Sequence, residues 1–330
     1  MNHQPVMLAE VLAALPLEAG KRIVDCTFGA GGYSKAILQN SEAQVLALDR
    51  DPSVEAEANA VMAANANRFS FCLTEFSGLE AAMHAQGWEQ VDGIVLDVGV
   101  SSMQLDQSER GFSFMRDGPL DMRMSRFGVS AADVVNQLGE RDLIQIFRVY
   151  GEEKRARRAA QAILSAREIA SITTTGQLAE LIEQAFGGKR SRIHPATKVF
   201  QALRIFINDE LGELAKVLLV AERVLKPTGK LVVVAFHSLE DRLVKSFLRE
   251  RSEAPSRGSR FAPLTEQTPF YPSFIVSNRK VTLPSSEETA RNPRSRSARL
   301  RWAERSTAAA FGTVPQLAPM PTLALVEAGA

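Results

Sequence analysis

The chain has 330 residues, enough for one large domain or two smaller ones around a sizeable core. A net charge of +1 excludes a globally basic nucleic-acid binder, so any such surface must be a local patch. Two cysteines, Cys26 and Cys72, both in apolar runs, make neither a disulfide framework nor a zinc site and read as buried thiols of a reducing compartment. No apolar run is long enough to cross a bilayer and no charged-then-apolar leader opens the chain, so the expectation is a cytosolic protein that does not engage a membrane.

In chain order, β-rich runs first alternate with helical patterns. Strands are predicted at Arg22–Cys26, Ala43–Leu48, Phe69–Leu73 and Val91–Leu96. Helices are predicted at Tyr33–Gln39 and at Pro52–Ala66, the second opening on a proline suited to a first turn. Near-continuous apolar strands separated by helices imply a doubly wound parallel α/β sheet that binds ligands at the carboxyl ends of its strands.

The alternation then stops. From about Gln107 to Lys189 the pattern is helical: Ser130 caps Ala131–Leu138, Glu140–Tyr150 and a basic Glu152–Ile169 follow, and Thr175 caps Gly176–Phe186. Pro195 opens a long amphipathic stretch carrying Val199, Leu203, Phe206 and Leu211 near one face. It runs to the turn Lys226-Pro227-Thr228-Gly229, and the apolar run Lys230–Phe236 reads as the sheet resuming. Leu239–Arg249 is then a helix, Arg251–Leu264 a polar loop, and Ser273–Val281 with Ser297–Trp302 a closing strand pair. The Ala- and Pro-rich tail from Ser306 lacks periodicity and is expected to be mostly disordered. The expected division is a discontinuous sheet domain, 1–106 and 195–305, a helical insertion, 107–194, and a tail, 306–330.

The chemistry-bearing segment is Asp25-Cys26-Thr27-Phe28-Gly29-Ala30-Gly31-Gly32-Tyr33-Ser34, a strand, a glycine-rich turn and a helix start. Asp49 ends the next strand, where an acid can accept hydrogen bonds from two ribose hydroxyls. Together they indicate a nucleoside cofactor, against the plainer readings of a tight turn that binds nothing and an acid that caps the Asp51-Pro52 turn. A dinucleotide fold wants a third glycine three residues past the second, and Ser34 stands there, which counts against NAD. Asp97 ends the fourth strand at the edge where a cofactor and the reacting group meet, unless it is a solvated loop acid. Phe76 follows the third strand, placed either to pack on an adenine or to fill the core.

Several segments carry a more specific likeness: His3–Leu8, Phe28–Ser34, Asp49–Pro52, Asp97–Ser102, Glu109–Met124, Tyr150–Glu153, His194–Ile205 and Phe236–Arg242. With the Leu225–Lys230 turn, in this order, the chain resembles the bacterial 16S ribosomal RNA cytosine-N4 methyltransferases of the small subunit, nearly throughout to about Arg305. The resemblance implies a Rossmann-like sheet with an antiparallel closing strand and a helical insertion. It implies S-adenosyl-L-methionine (AdoMet) as cofactor, and as substrate a P-site cytidine of 16S rRNA within the 30S subunit. It places Gly31, Gly32, Tyr33, Asp49, Phe76, Asp97 and Gln104 against the cofactor. Many members carry histidine at the position of Tyr33, so only backbone contact is carried over there. Many also have proline at the position of Met103, which leaves the loop before Gln104 less rigid here.

A cytosine amine is a poor nucleophile because its lone pair is delocalised into the ring. A carboxylate or carbonyl accepting its N–H would polarise it, and a proton must leave once the methyl arrives. Asp97 and His237, both following strands at the reactive edge, are the catalytic candidates, with a structural hydrogen bond the alternative for His237. Ser101 and Ser102 either bond the base edge or cap a turn, the cap being preferred. Between Arg148 and Arg204 there are eleven Lys and Arg against five Asp and Glu, a local basic patch in a near-neutral chain. Arg116, Arg123, Arg155, Arg158, Lys189, Arg190, Arg192 and Lys198 are therefore candidate RNA contacts, the competing reading being a solvated face. Arg291, Arg294, Arg296, Arg299 and Arg301 are a candidate second edge, and Gly111–Met124 has the mixed composition of a loop folding over a flipped base. A nicotinamide-dependent oxidoreductase and a non-catalytic RNA-binding assembly protein are the alternative functions, and a homodimer is left open.

Overall fold

The computed structural model describes residues 5–188, 193–254 and 269–313. Its strands are β1 (Arg22–Asp25), β2 (Gln44–Asp49), β3 (Phe69–Leu73), β4 (Val91–Asp97), β5 (Leu225–Ala235), β6 (Phe274–Ile275) and β7 (Arg299–Arg305). The helices before the long gap between β4 and β5 are α1 (Leu8–Ala14), α2 (Gly32–Asn40), α3 (Glu55–Ala64) and α4 (Leu79–Ala85). Within the gap lie α5 (Ser102–Asp106), α6 (Ala131–Gln137), α7 (Glu140–Val149), α8 (Ala156–Arg167), α9 (Thr175–Ala185), α10 (Thr197–Ile207) and α11 (Glu210–Val224). After β5 come α12 (Ser238–Ser252) and α13 (Ser286–Arg291).

The chain forms two compact units. Among the described residues, those up to Gly99 and from Gly212 to Thr313 make the first, and those between Val100 and Leu211 the second. The first holds a seven-stranded sheet in the order β3-β2-β1-β4-β5-β7-β6. Neighbours from β3 to β5 pair parallel, and β7 enters antiparallel beside β5, Val232 opposite Trp302. Val24, Leu46, Ile94, Val95 and Val232 are all but fully buried, as expected of strands covered on both faces. This is a Rossmann-like α/β fold, and an all-helical second unit interrupts it in sequence.

The differences from the sequence reading have local causes. The closing pair has β7 as its long member, and β6 is two residues long; Thr282 makes a separate bridge to Leu300. The expected turn at Lys226–Gly229 is a bulge inside β5. Val91 pairs with Leu225 and Gly93 already with Lys230, while Lys226 Nζ donates to Asp92 at 2.9 Å. The single stretch expected after Pro195 breaks into α10 and α11 at Asp209, whose φ is 44°. The basic helix begins at Ala156, beyond Glu152 at φ 47° and the buried Glu153. Thr174, one residue before the expected Thr175, caps α9 by accepting from Gln177. The unit boundaries fall at Gly99 and Leu211, where 106 and 194 were expected, because α10 packs on α6 and α7. The chain past Ser306 is held as far as Thr313, whose carbonyl accepts from the fully buried Arg251; the rest of the expected tail lies outside the described residues.

Candidate active site

β1 and β4 are neighbours at the point where strand order reverses, and the carboxyl ends of such a pair open a ligand crevice. The turn after β1 is stitched across this edge by backbone bonds. Cys26 donates to Val95, and Phe28 donates to Leu48. Gly29 and Gly31 have φ of 53° and 75°, left-handed values that favour glycine, and a Cβ on Gly31 would also press on the Phe28 ring. A Cβ on Gly32 would collide with the Pro5 ring, so the close approach of the N-terminal segment also needs a glycine. Among the described residues no side chain caps α2, which leaves its leading N–H groups available to a ligand.

Three carboxylates organise this edge. Asp25 is fully buried; its Oδ1 accepts the Thr27 N–H at 3.1 Å and its Oδ2 the Ser34 hydroxyl at 2.7 Å. Burial raises its pKa, against the bonds from Ser34 and Thr27. Asp49 accepts the Gly29 N–H through Oδ2 at 2.8 Å and the Asp51 N–H through Oδ1 at 2.9 Å. Burial outweighs these bonds and pushes its pKa up to about 6. Asp97 is fixed through its own N–H, which donates to Thr27 Oγ1 at 2.7 Å. Its Oδ1 is buried and meets no hydrogen-bond donor among the described residues. Burial, then the nearby Asp25 and Glu240, hold its carboxyl well above the usual range.

His237 is the N-cap of α12. Its Nδ1 accepts the Glu240 N–H at 3.4 Å, while Glu240 Oε2 accepts the N–H groups of Phe236 and His237 at 2.8 and 3.1 Å. Its Nε2 stands 3.0 Å from Glu240 Oε1 but is buried without a hydrogen-bond partner among the described residues. Nδ1 is thus engaged structurally, and Nε2 is not. Tyr33 is buried and its hydroxyl donates to the Val6 carbonyl, which ties the N-terminal segment to α2. Phe76 is half-buried and opens a short turn, where Ser77 donates its N–H to Glu213 at 2.9 Å. These residues share the first unit. Gln104 lies in the second, in a capping box with Ser101 at the start of α5, so Ser101 is a cap as preferred.

The RNA candidates divide. Arg116 and Arg158 are exposed. Arg123 makes a two-pronged bond to Asp121 and donates to the Gly128 carbonyl, holding its own loop together. Arg155 lies 3.7 Å over the Phe186 ring, and Lys198 Nζ donates to the Glu152 carbonyl at 2.9 Å. Lys189, Arg190 and Arg192 lie outside the described residues. Sequence reasoning passed over Asp25, Thr27 and Glu240. The first two stand in the glycine-turn motif itself, and Glu240 follows His237 at the three-residue spacing of a capping box.

Residues 1–306 match the model of the MraW methylase family. Relatives named Ribosomal RNA small subunit methyltransferase H are similar along almost their whole length. The one from Maricaulis maris is 55% identical over 316 residues, 96% of this chain and 94% of that protein. Those from Sinorhizobium medicae and Nitrobacter winogradskyi are 53% and 49% identical, covering 98% and 100% of this chain and 93% and 98% of theirs. A glycine turn and three buried-edge carboxylates at the switch point of a Rossmann-like sheet, with a family match across nearly the whole chain, place this protein in the MraW methylase family.

Proposed function

We propose that this chain is an AdoMet-dependent methyltransferase of small-subunit ribosomal RNA, and that it methylates the N4 amine of a P-site cytidine in 16S rRNA of the 30S subunit. Family membership and the names of its relatives support the coarser part. The single observation that carries the finer part is Asp97. It is a buried carboxyl at the switch-point edge, anchored through its backbone and with one oxygen unsatisfied, as expected of a group whose partner is a ligand.

The residues present fit AdoMet. Asp49 offers its remaining lone pairs to ribose hydroxyls, the uncapped start of α2 at Gly32 and Tyr33 suits a carboxylate, and Phe76 offers a ring face to adenine. On this reading Gly31 and Gly32 admit the cofactor's close approach. Bound AdoMet supplies an electrophilic methyl on a sulfonium, so no covalent enzyme intermediate is required. Asp97 accepts an N–H of the target amine, which restores lone-pair density on nitrogen. The ionised form of Asp97, disfavoured by burial, is favoured by the positive charge of a bound sulfonium, and that carboxylate takes the proton the amine loses. His237 acts as a positioning residue, holding the α12 start and Glu240 beside Asp97. A ribosomal substrate places the protein in the cytoplasm; no helix among the described residues is long and apolar enough to cross a membrane.

The test is transfer of radiolabelled methyl from AdoMet to 30S subunits that lack the modification. Label recovered in N4-methylcytidine is the expected outcome. Label on another base would overturn the finer assignment, and no label with intact AdoMet binding would favour a non-catalytic RNA-binding protein.

A further inference from the structure

In the second unit, α7 and α8 bound a groove of about 620 Å³. Its walls carry Arg141, Arg148 and Arg157, with Gln145 between them and Ile144 and Val149 as half-buried apolar floor. The sequence dictates this arrangement. Leu143, Ile146 and Phe147 turn inward to the core of the unit, so Arg141, Gln145 and Arg148, spaced four and three residues apart, form an outer stripe.

The charge of this groove is not used by the fold. Glu140 is its one acid, standing 3.8 Å from Arg157 and accepting from Gln161, an exposed arrangement of little energetic weight. Arg141 and Arg148 make no ion pair or side-chain hydrogen bond among the described residues. The start of α8 has no acid in its first turn, yet Arg155, Arg157 and Arg158 crowd it, at the helix end whose dipole already favours anions. Cations placed there work against helix stability, and they suit a polyanion laid across the groove.

We propose that the α7–α8 groove docks a strand of the ribosomal RNA substrate, with Arg141, Arg148 and Arg157 on successive phosphates. This rests on the reading of the substrate as rRNA. Arg141 and Arg148 lie seven residues apart, about 10 Å along the helix axis, which spans more than one phosphate of a strand. The Gln145 amide, a donor and acceptor, meets ribose 2′-hydroxyls, and Ile144 and Val149 meet the apolar faces of the sugars. Contacts of this kind set register and affinity and carry no sequence information.

The test compares the full-length protein with Arg141→Ala/Arg148→Ala and with Arg141→Lys/Arg148→Lys. Binding to a 16S rRNA transcript and to 30S subunits is measured across a salt series, with AdoMet binding confirming that each variant is folded. The alanine pair is expected to bind both RNAs at least about tenfold more weakly and to flatten the log K against log salt slope by about 1.5, while the lysine pair keeps most of the slope. Wild-type affinity and slope in a folded alanine pair would overturn the proposal. So would weakened binding to subunits with unchanged binding to the bare transcript, which would assign the groove to a protein surface of the subunit. Methyl transfer by the wild-type preparation is measured alongside. If it transfers methyl and the alanine pair binds as wild type, only the groove assignment fails; if it transfers none while the alanine pair binds RNA more weakly, the catalytic reading fails and the groove assignment stands.

Discussion

Asp49 and Asp97 hold the two residue-scale consequences of the site. Asp49 has its folded pKa raised to about 6 from 3.8, so the folded chain binds the extra proton. The stability attached to that proton is therefore present at low pH and lost as pH rises from about 4 to about 6. Ribose hydroxyls donate to the ionised form, so AdoMet affinity should increase as pH rises through about 6 and then level off. Calorimetric titration checks this, and an Asp49→Asn variant that kept the same pH dependence would contradict it. Asp97→Asn retains shape and the backbone bond to Thr27 but removes the base. Turnover should fall by about 10²- to 10⁴-fold with the fold intact, and wild-type turnover would remove Asp97 from the chemistry. Both acids were legible in the sequence because each ends an apolar strand. Asp25 was not, since its importance comes from full burial and from partners at Thr27 and Ser34 that only folding assembles.

At the scale of elements, the parallel strands were readable because continuous apolar runs between helical patterns have few other solutions. Their ends moved by a residue or two, as at β1 and β2. What escaped was the chain's behaviour where polar and special backbone positions take over. Examples are the left-handed Asp209 that divides α10 from α11, the bulge at Lys226–Gly229, and α13, which is too short and polar for a periodicity signal. The C-terminal strap was hidden for another reason. Glu222 is fully buried in the last turn of α11; it takes Arg251 Nε at 2.8 Å, the Ser273 hydroxyl and the Phe311 N–H, the last at 3.1 Å. Such a hub ties distant segments that no local pattern connects. Glu222→Ala leaves the Arg251 guanidinium buried without its carboxylate, and should cost about 3–5 kcal/mol in a urea unfolding experiment. A loss under about 1 kcal/mol would show that water or a neighbour replaces the pair.

At the scale of the whole molecule, the Rossmann-like sheet supplies the cofactor edge and the helical unit supplies basic surface, on the reading proposed here. Of the sequence-based RNA candidates, Arg123 and Lys198 turned out to hold local backbone, because a lone arginine or lysine in a sequence gives no sign of which carbonyl or carboxylate it will reach. Arg141 was passed over because it lies outside the densest basic runs, and only the packing of α7 beside α8 brings it to a shared groove. The account stands or falls on the modification itself. Nucleoside mass spectrometry of 16S rRNA from a strain deleted for this gene tests it most directly. The account predicts that N4-methylation of the P-site cytidine disappears and returns when the wild-type gene, but not the Asp97→Asn variant, is restored. Undiminished N4 methylation in the deletion strain would contradict it.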